Sequence, residues 1–500
     1  MDTALKTNST ERLALIWCGS AGKELTEEYV VPDSMPDVGE ILDARGVLTV
    51  QGKDTEAGSV HLNASLSVSV VYAPEDCGGI RSLELTLPAD IRLDAPEADT
   101  DCRTVARLRV RSVEARLLNS RKIAVRAEAE AEVCCYRSET LSLSAGMEDE
   151  GCGAHIRMET AQAMLVTDVR EKTFAVTDEY PWPSGCGGAD KILSRQVDVV
   201  TEDVKFVGGK VLFRGRVRSE LLLADPASEK TFFGRYETEF SQIMEVDAQQ
   251  EDTQPELTIF FTGVYFDLPE PGSDGDRLRA EIHMGAQCVC RERRELPYMA
   301  DLYSSRTELI PRCENVRLVR DVRAVVMRQT VANRIEGAER EAELLQTGAS
   351  VGGIMVEDGA VKTAVNVRLM YILPDGGCSS VRGRLPAEFT LPELPAGAAL
   401  RNVSVAVTDI YCVPGTGDVR VTLRLDALAV EETEISCVCA VEEDADAWSA
   451  RGRMPSAVLL RIPAGTDLWT VARRYRSSVE DILLVNEGRR DGLLLIPKGR

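Results

Sequence analysis

Aromatic residues make up only 5% of this 500-residue chain, and it has three histidines, His61, His155 and His283. So few aromatics exclude a broad platform for stacking bases or sugars. Three imidazoles leave little for acid–base work near neutral pH or for a four-ligand zinc site. Long apolar runs are missing as well: stretches such as Leu13 to Cys18 fall far below the ~18 residues that span a bilayer. The start, Met1-Asp2-Thr3-Ala4-Leu5-Lys6, lacks the basic opening and apolar run of a secretory signal. A cytosolic chain is therefore expected, with its 14 cysteines mostly as thiols. Neither a Gly-x-Ser-x-Gly elbow nor a His-Glu-x-x-His pair occurs, and Gly208-Gly209-Lys210 lacks the frame of a phosphate-binding loop. Basic charge is in deficit, 58 residues against 81 acidic ones for a net of −23, so phosphate backbones and anionic lipid repel the chain. These absences argue against an enzyme, a metal, a cofactor, a nucleic-acid partner and a transmembrane segment.

What is present is repetition. A glycine hairpin recurs at Glu56-Ala57-Gly58-Ser59-Val60, Val207-Gly208-Gly209-Lys210-Val211 and Val356-Glu357-Asp358-Gly359-Ala360-Val361, with steps of 151 and 150 from Val60 to Val211 to Val361. The following strand ends at Val70-Val71-Tyr72, Leu221-Leu222-Leu223 and Leu369-Met370-Tyr371 and runs into a proline-containing turn each time. Cysteine pairs, Cys134-Cys135, Cys288-Val289-Cys290 and Cys437-Val438-Cys439, supply a third landmark with steps of 154 and 149. Upstream, Ile41-Leu42, Ile192-Leu193 and Leu344-Leu345 keep the register, and Leu165 to Arg170 matches Leu318 to Arg323. The reading is three homologous units over residues 20–145, 166–300 and 318–445.

Within a unit, period-two alternation dominates. Ile123, Val125, Ala127, Ala129, Ala131 and Val133 alternate with mostly charged residues, a half-buried strand, although Ala and Glu favour helix. Mainly β units, sandwich or barrel-like, with few helices are expected. The third unit departs at its start, where Glu336 to Glu343 reads as a charged helical segment. In Cys288-Val289-Cys290 and Cys437-Val438-Cys439, alternation puts both thiols of a pair on one face. They are read as small buried hydrophobes, with a soft-metal site, a redox pair or a cross-link between assembled chains as alternatives. Three such units, each with a glycine-turned hairpin and a strand leading into a turn, resemble the SPOCS domain of spore coat proteins.

After an acidic linker at 446–456, residues 457–500 carry eight basic and five acidic side chains, a net of +3 that leaves −26 for the rest. Val458 to Ile462 reads as a strand, and Thr466 or Asp467 caps a helix through Trp469, Val471, Ala472 and Tyr475. Ser477 or Ser478 caps a second helix through Val479, Ile482, Leu483 and Val485, and Leu493 to Ile496 closes with a strand. This small βααβ order, with Gly465-Thr466-Asp467-Leu468-Trp469, Asn486 and Ile496-Pro497, resembles a LysM domain, except that the family usually reads Gly-Asp-Thr-Leu.

The LysM resemblance implies a shallow groove between the loops Gly465 to Leu468 and Asn486 to Gly492. Its partner- or glycan-binding candidates are Gly465, Thr466, Asp467, Leu468, Trp469, Ile482, Asn486, Glu487 and Gly488. Trp469 is read first as a core residue and Asn486 as fixing its turn. Arg473, Arg474, Arg489 and Arg490 form either a solvated face or a docking site for an acidic partner. Together the two resemblances imply a non-enzymatic adaptor of spore coat assembly, on the mother-cell side of the forespore. The tail would dock on a polymerising ATPase like stage IV sporulation protein A, and the repeats would bind coat proteins. The alternative is a wall or cortex protein that binds peptidoglycan through N-acetylglucosamine polymers.

Overall fold

The computed structural model describes residues 4–498 except 76–77, 149–152, 187, 226–229, 270–276, 339–341, 358, 375, 396 and 444–455. The expected acidic linker thus lies outside the described residues, save Ser456. The chain is mainly β, and its strands form several separate sheets. Three of these are long and antiparallel. β1 (Leu5–Val30) pairs with β7 (Lys122–Met147), and β7 with β6 (Arg103–Asn119). β8 (Ala154–Pro181) pairs with β13 (Arg277–Ser304), and β13 with β12 (Gln254–Asp267). β14 (Leu309–Arg334) pairs with β20 (Asp418–Glu443), and β20 with β19 (Ala399–Cys412). Each time the first strand of a stretch lies beside its last, and the last beside its predecessor.

Between those strands sit three further sheets. β3 (Ser59–Pro74) is flanked by β2 (Val38–Glu56), β4 (Arg81–Pro88) and β5 (Ile91–Asp94), and β10 (Lys210–Asp225) by β9 (Lys191–Val207) and β11 (Lys230–Glu245). β17 (Ala360–Ile372) is flanked by β15 (Glu343–Val351), β16 (Met355–Glu357) and β18 (Cys378–Thr390). A two-residue connection joins the central hairpin in each sheet, and its glycine has positive φ: Gly58 at 83°, Gly209 at 77° and Gly359 at 74°. Such turns follow the twist of the paired strands, and glycine adopts them without a Cβ clash.

Alternation prevails over helix propensity in β7. Ile123, Val125, Ala127, Ala129, Ala131 and Val133 are all buried. The intervening positions pair across the sheet, as in Arg109–Glu130 at 2.7 Å and Arg126–Glu24 at 2.8 Å. The first strands begin at Leu5, Ala154 and Leu309, ahead of the unit starts read from spacing, because each pairs with the far end of its partner strand. The helical segment expected at Glu336 to Glu343 is not formed in its described positions. Glu336 and Gly337 make a turn, with φ of 84° at Gly337, and Glu343 opens β15. A positive φ at the second residue ends any helix there.

The cysteine landmark is also corrected. Cys134 stands opposite Cys18 and Cys290 opposite Asp168, each beside a bulge within its long sheet, whereas Cys437 stands opposite Glu314 beside a different bulge. Cys437 shares an apolar cluster with Leu143 and Tyr298, so the step of 149 from Cys288 to Cys437 does not join equivalent positions. Cys288 and Cys290 do share a face, buried with Sγ atoms 3.9 Å apart. Cys437 is buried but Cys439 is exposed, because the bulge between Arg312 and Cys313 breaks the alternation.

The sheets meet in shared cores. Leu42, Leu193 and Leu345 fill one cluster with Val71, Leu222 and Met370, and a second joins Leu141, Leu296, Leu318 and Ile435 from the three long sheets. Charged hubs lie beside these cores. Asp43 accepts from Arg45 (2.7 Å) and Arg368, and Arg45 also donates to Gln196 (2.9 Å) and Glu220 (3.2 Å). Asp168, 1% exposed, accepts from Arg103, Arg170 and the Asp247 amide. Burial works to raise its pKa, but that amide and the two guanidinium groups outweigh it and hold the carboxyl below its usual range. Glu256 accepts from Arg107, Arg291 and Asn402, three residues from three different long sheets. Its carboxyl too is lowered, burial being overcome by Arg291 and Arg107.

Candidate partner-binding surface

The carboxy-terminal tail pairs β21 (Ala457–Ile462) with β22 (Gly492–Pro497) antiparallel and carries α1 (Leu468–Tyr475) and α2 (Val479–Val485) between them. Asp467 caps α1, its side chain accepting from the Trp469 amide at 3.1 Å. Arg476 ends that helix in the left-handed region, at φ 55°. Ser478 caps α2, its hydroxyl accepting from the Asp481 amide at 2.8 Å. One face of this two-stranded sheet packs on the helices: Ile462, Leu494 and Ile496 lie with Leu468, Val471, Ala472 and Ile482.

Several candidates read from sequence belong to this scaffold. Leu468 and Ile482 are core residues whose side chains are closed to a partner, because each sits on the inward stripe of its helix. Asn486 fixes the turn. Its amide donates to the carbonyls of Ile482 (2.8 Å) and Leu495 (2.7 Å), and its oxygen accepts from the Leu495 amide (2.8 Å). Gly465, Thr466, Glu487 and Gly488 are exposed in the two loops, with positive φ at Gly465, Glu487 and Gly488. The Thr466 hydroxyl donates to the Pro463 carbonyl at 2.9 Å.

Trp469 is half-buried against the tail's core, and it also reaches outside the tail. Its indole Nε1 donates to Asp301 Oδ2 on β13 at 2.8 Å, and its ring meets Tyr303 edge-on with centroids 4.9 Å apart. Arg473 donates to both oxygens of Asp301 at 2.9 Å. Tyr303, stacked on His155 at 4.9 Å, donates its hydroxyl to the Ser477 carbonyl at 2.8 Å. Arg476 pairs with Glu308 at 2.5 Å and Arg157 with Asp467 at 3.0 Å. One side of α1 is thus latched to β8, β13 and the turn after β13. Burial pushes the Tyr303 phenol up, with Glu480 and Asp301 adding to the shift, so it stays a donor.

The four arginines expected to act together are divided by this latch. Arg473 is neutralised by Asp301, Arg474 lies near the Tyr475 ring at 5.7 Å, and Arg489 has a long, exposed pair with Glu487 at 3.6 Å. Arg490 has no ion pair among the described residues. Sequence reasoning missed Asp301, Tyr303, His155, Arg157 and Glu308. They lie more than 150 positions before α1, four of them in the strands β8 and β13 and Glu308 in the turn after β13, so no local signal marks them.

No group of three or more His, Cys, Asp or Glu side chains suited to a metal occurs among the described residues, and no described helix is long and apolar enough to cross a membrane. The chain matches no family model, no curated protein and no solved structure.

Proposed function

We propose that this chain is a non-enzymatic adaptor of spore coat assembly, similar to the sporulation morphogenetic protein SipL. In this reading three SPOCS-like repeats precede a LysM-like tail, and the protein works on the mother-cell side of the forespore surface. The tail engages a polymerising ATPase like stage IV sporulation protein A, while the acidic repeats hold coat proteins. The observation that carries the reading is a strand path used three times, with a glycine hairpin in each, followed by a compact basic tail. Three related surfaces on one chain favour multivalent capture, since a first contact raises the effective concentration for the next. Opposite charge on tail and repeats lets the two ends select different partners.

The test is co-sedimentation of the full chain with the polymerised ATPase and, separately, with purified peptidoglycan. Pelleting with the polymer is expected. Retention by peptidoglycan alone overturns the adaptor and favours a wall-binding protein.

A further inference from the structure

The latch leaves the outward face of the tail's two-stranded sheet open, and on α2 it leaves Leu484 and Val485 exposed as well. On the sheet face Leu459 and Leu495 stand directly opposite each other, and Leu493 stands opposite Arg461. Leu459 and Leu493 are each 61% exposed and Leu495 37%. A single exposed leucine is ordinary, but three adjoining ones on a sheet of two six-residue strands make an apolar patch. The tail's helices pack beneath the other face, and the long sheets hold α1 through Trp469, Arg473 and Arg476.

The rim of the patch is cationic. Arg461 lies on the same face, and Arg489 and Arg490 stand in the loop that leads into β22. Arg461 and Arg490 have no ion pair among the described residues, whereas the latch arginines Arg473 and Arg476 are matched by Asp301 and Glu308. Arg489 has a long pair with Glu487, and Asp491 follows Arg490 in the loop. The rim's excess positive charge therefore comes from Arg461 and Arg490, and an apolar centre beside it selects a protein surface of acidic character. Sugar stacking is disfavoured because Trp469, the tail's large aromatic, is turned against Tyr303 with its N–H on Asp301. Nucleic acid is disfavoured by the chain's net charge of −23.

From this geometry we propose that the tail receives an acidic protein partner on the outward sheet face, centred on Leu459, Leu493 and Leu495 and rimmed by Arg461, Arg489 and Arg490. The proposal rests on the adaptor reading and moves the contact from the loops of a LysM-like groove to the sheet. The latched face of α1 is a contact within the chain and stays closed when the partner binds.

The experiment titrates full-length protein against the polymerised stage IV sporulation protein A-like ATPase. Leu459→Glu with Leu493→Glu is one variant, Arg461→Glu with Arg490→Glu a second, and Asp301→Ala a third that removes the Trp469 and Arg473 bonds of the latch. The first two are expected to weaken binding by at least about tenfold, and Asp301→Ala to change it by less than about twofold. All four outer-face substitutions are at exposed positions, and the arginine pair tests the face even if the leucine pair misfolds. Wild-type binding by the arginine variant and by a folded leucine variant, or a tenfold change on Asp301→Ala, overturns the outer-face proposal and leaves the adaptor intact. Failure of the wild-type chain to bind the polymer overturns both.

Discussion

Asp168 illustrates how single side chains hold separate sheets together. Its carboxylate sits on β8 and receives Arg170 from the same strand, Arg103 from β6 and the Asp247 amide that follows β11. With the carboxylate gone, the Asp247 amide loses its acceptor and two guanidinium groups lose their counter-charge. Removing one partner of a buried pair costs about 3–5 kcal/mol. Because Arg103 and Arg170 each keep partial solvent access, the lower end applies. Asp168→Ala should therefore lower stability by about 3 kcal/mol in urea unfolding, and a loss under about 1 kcal/mol would mean that solvent already screens the hub. At Gly348 the reason for a small residue is steric: a Cβ there would come within 2.5 Å of Arg45 Nη2, which Asp43, Gln196 and Glu220 hold in place.

At the level of elements, the hairpins and the bulges behaved differently as sequence signals. Glycine turns were legible because φ is a local property, and all three fall where the spacing placed them. Gly209 has φ of 77°, and a Cβ there would meet only the Val246 carbonyl at 4.0 Å. Its replacement thus tests conformation alone. Gly209→Ala should cost about 1 kcal/mol and Gly209→Asn less, since asparagine tolerates the left-handed region. Equal urea midpoints for all three proteins would show that the turn does not control this hairpin. The period-two reading of β7 was equally legible, as its odd positions are buried whatever the propensity of Ala and Glu. Bulges were not. One extra residue, at Cys439 on β20, turned a predicted same-face thiol pair into one buried and one exposed cysteine. Connections of unequal length between strands likewise made equal counts fall on unequal registers.

Across the whole molecule, acid should loosen the contacts between sheets. Asp168, Glu256 and Glu292, the last accepting from the Gln249 and Gln250 amides and from Arg294, all have carboxyls lowered in the fold, where burial is outweighed by amides or guanidinium groups. For a lowered folded pKa, the stabilisation is fully present above the unfolded carboxylate range near about 4 and is lost as pH falls through the folded values. Urea midpoints are expected to be level from pH 7 to about 5 and to fall steeply below about 4. Glu256→Gln should reduce the steepness of that fall. A midpoint that stays constant to pH 3 would rule these carboxylates out as the source.

The mainly β composition, the three hairpins and the two-helix tail follow from the sequence, because strand periodicity, positive φ and helix caps depend on residues within a few positions of one another. Asn486 belongs with them, since the residues it bonds lie four and nine positions away. The latch was decided only in three dimensions. Trp469 has the spacing of a core residue, and nothing near it announces Asp301 or Tyr303 on a strand 166 or more positions earlier. The same holds for Glu256, where residues from three sheets converge on one carboxylate. Short-range sterics and hydrogen bonding shape each element as the chain is read. Which charged or aromatic side chains then face one another depends on how finished sheets pack, and that choice belongs to the folded whole.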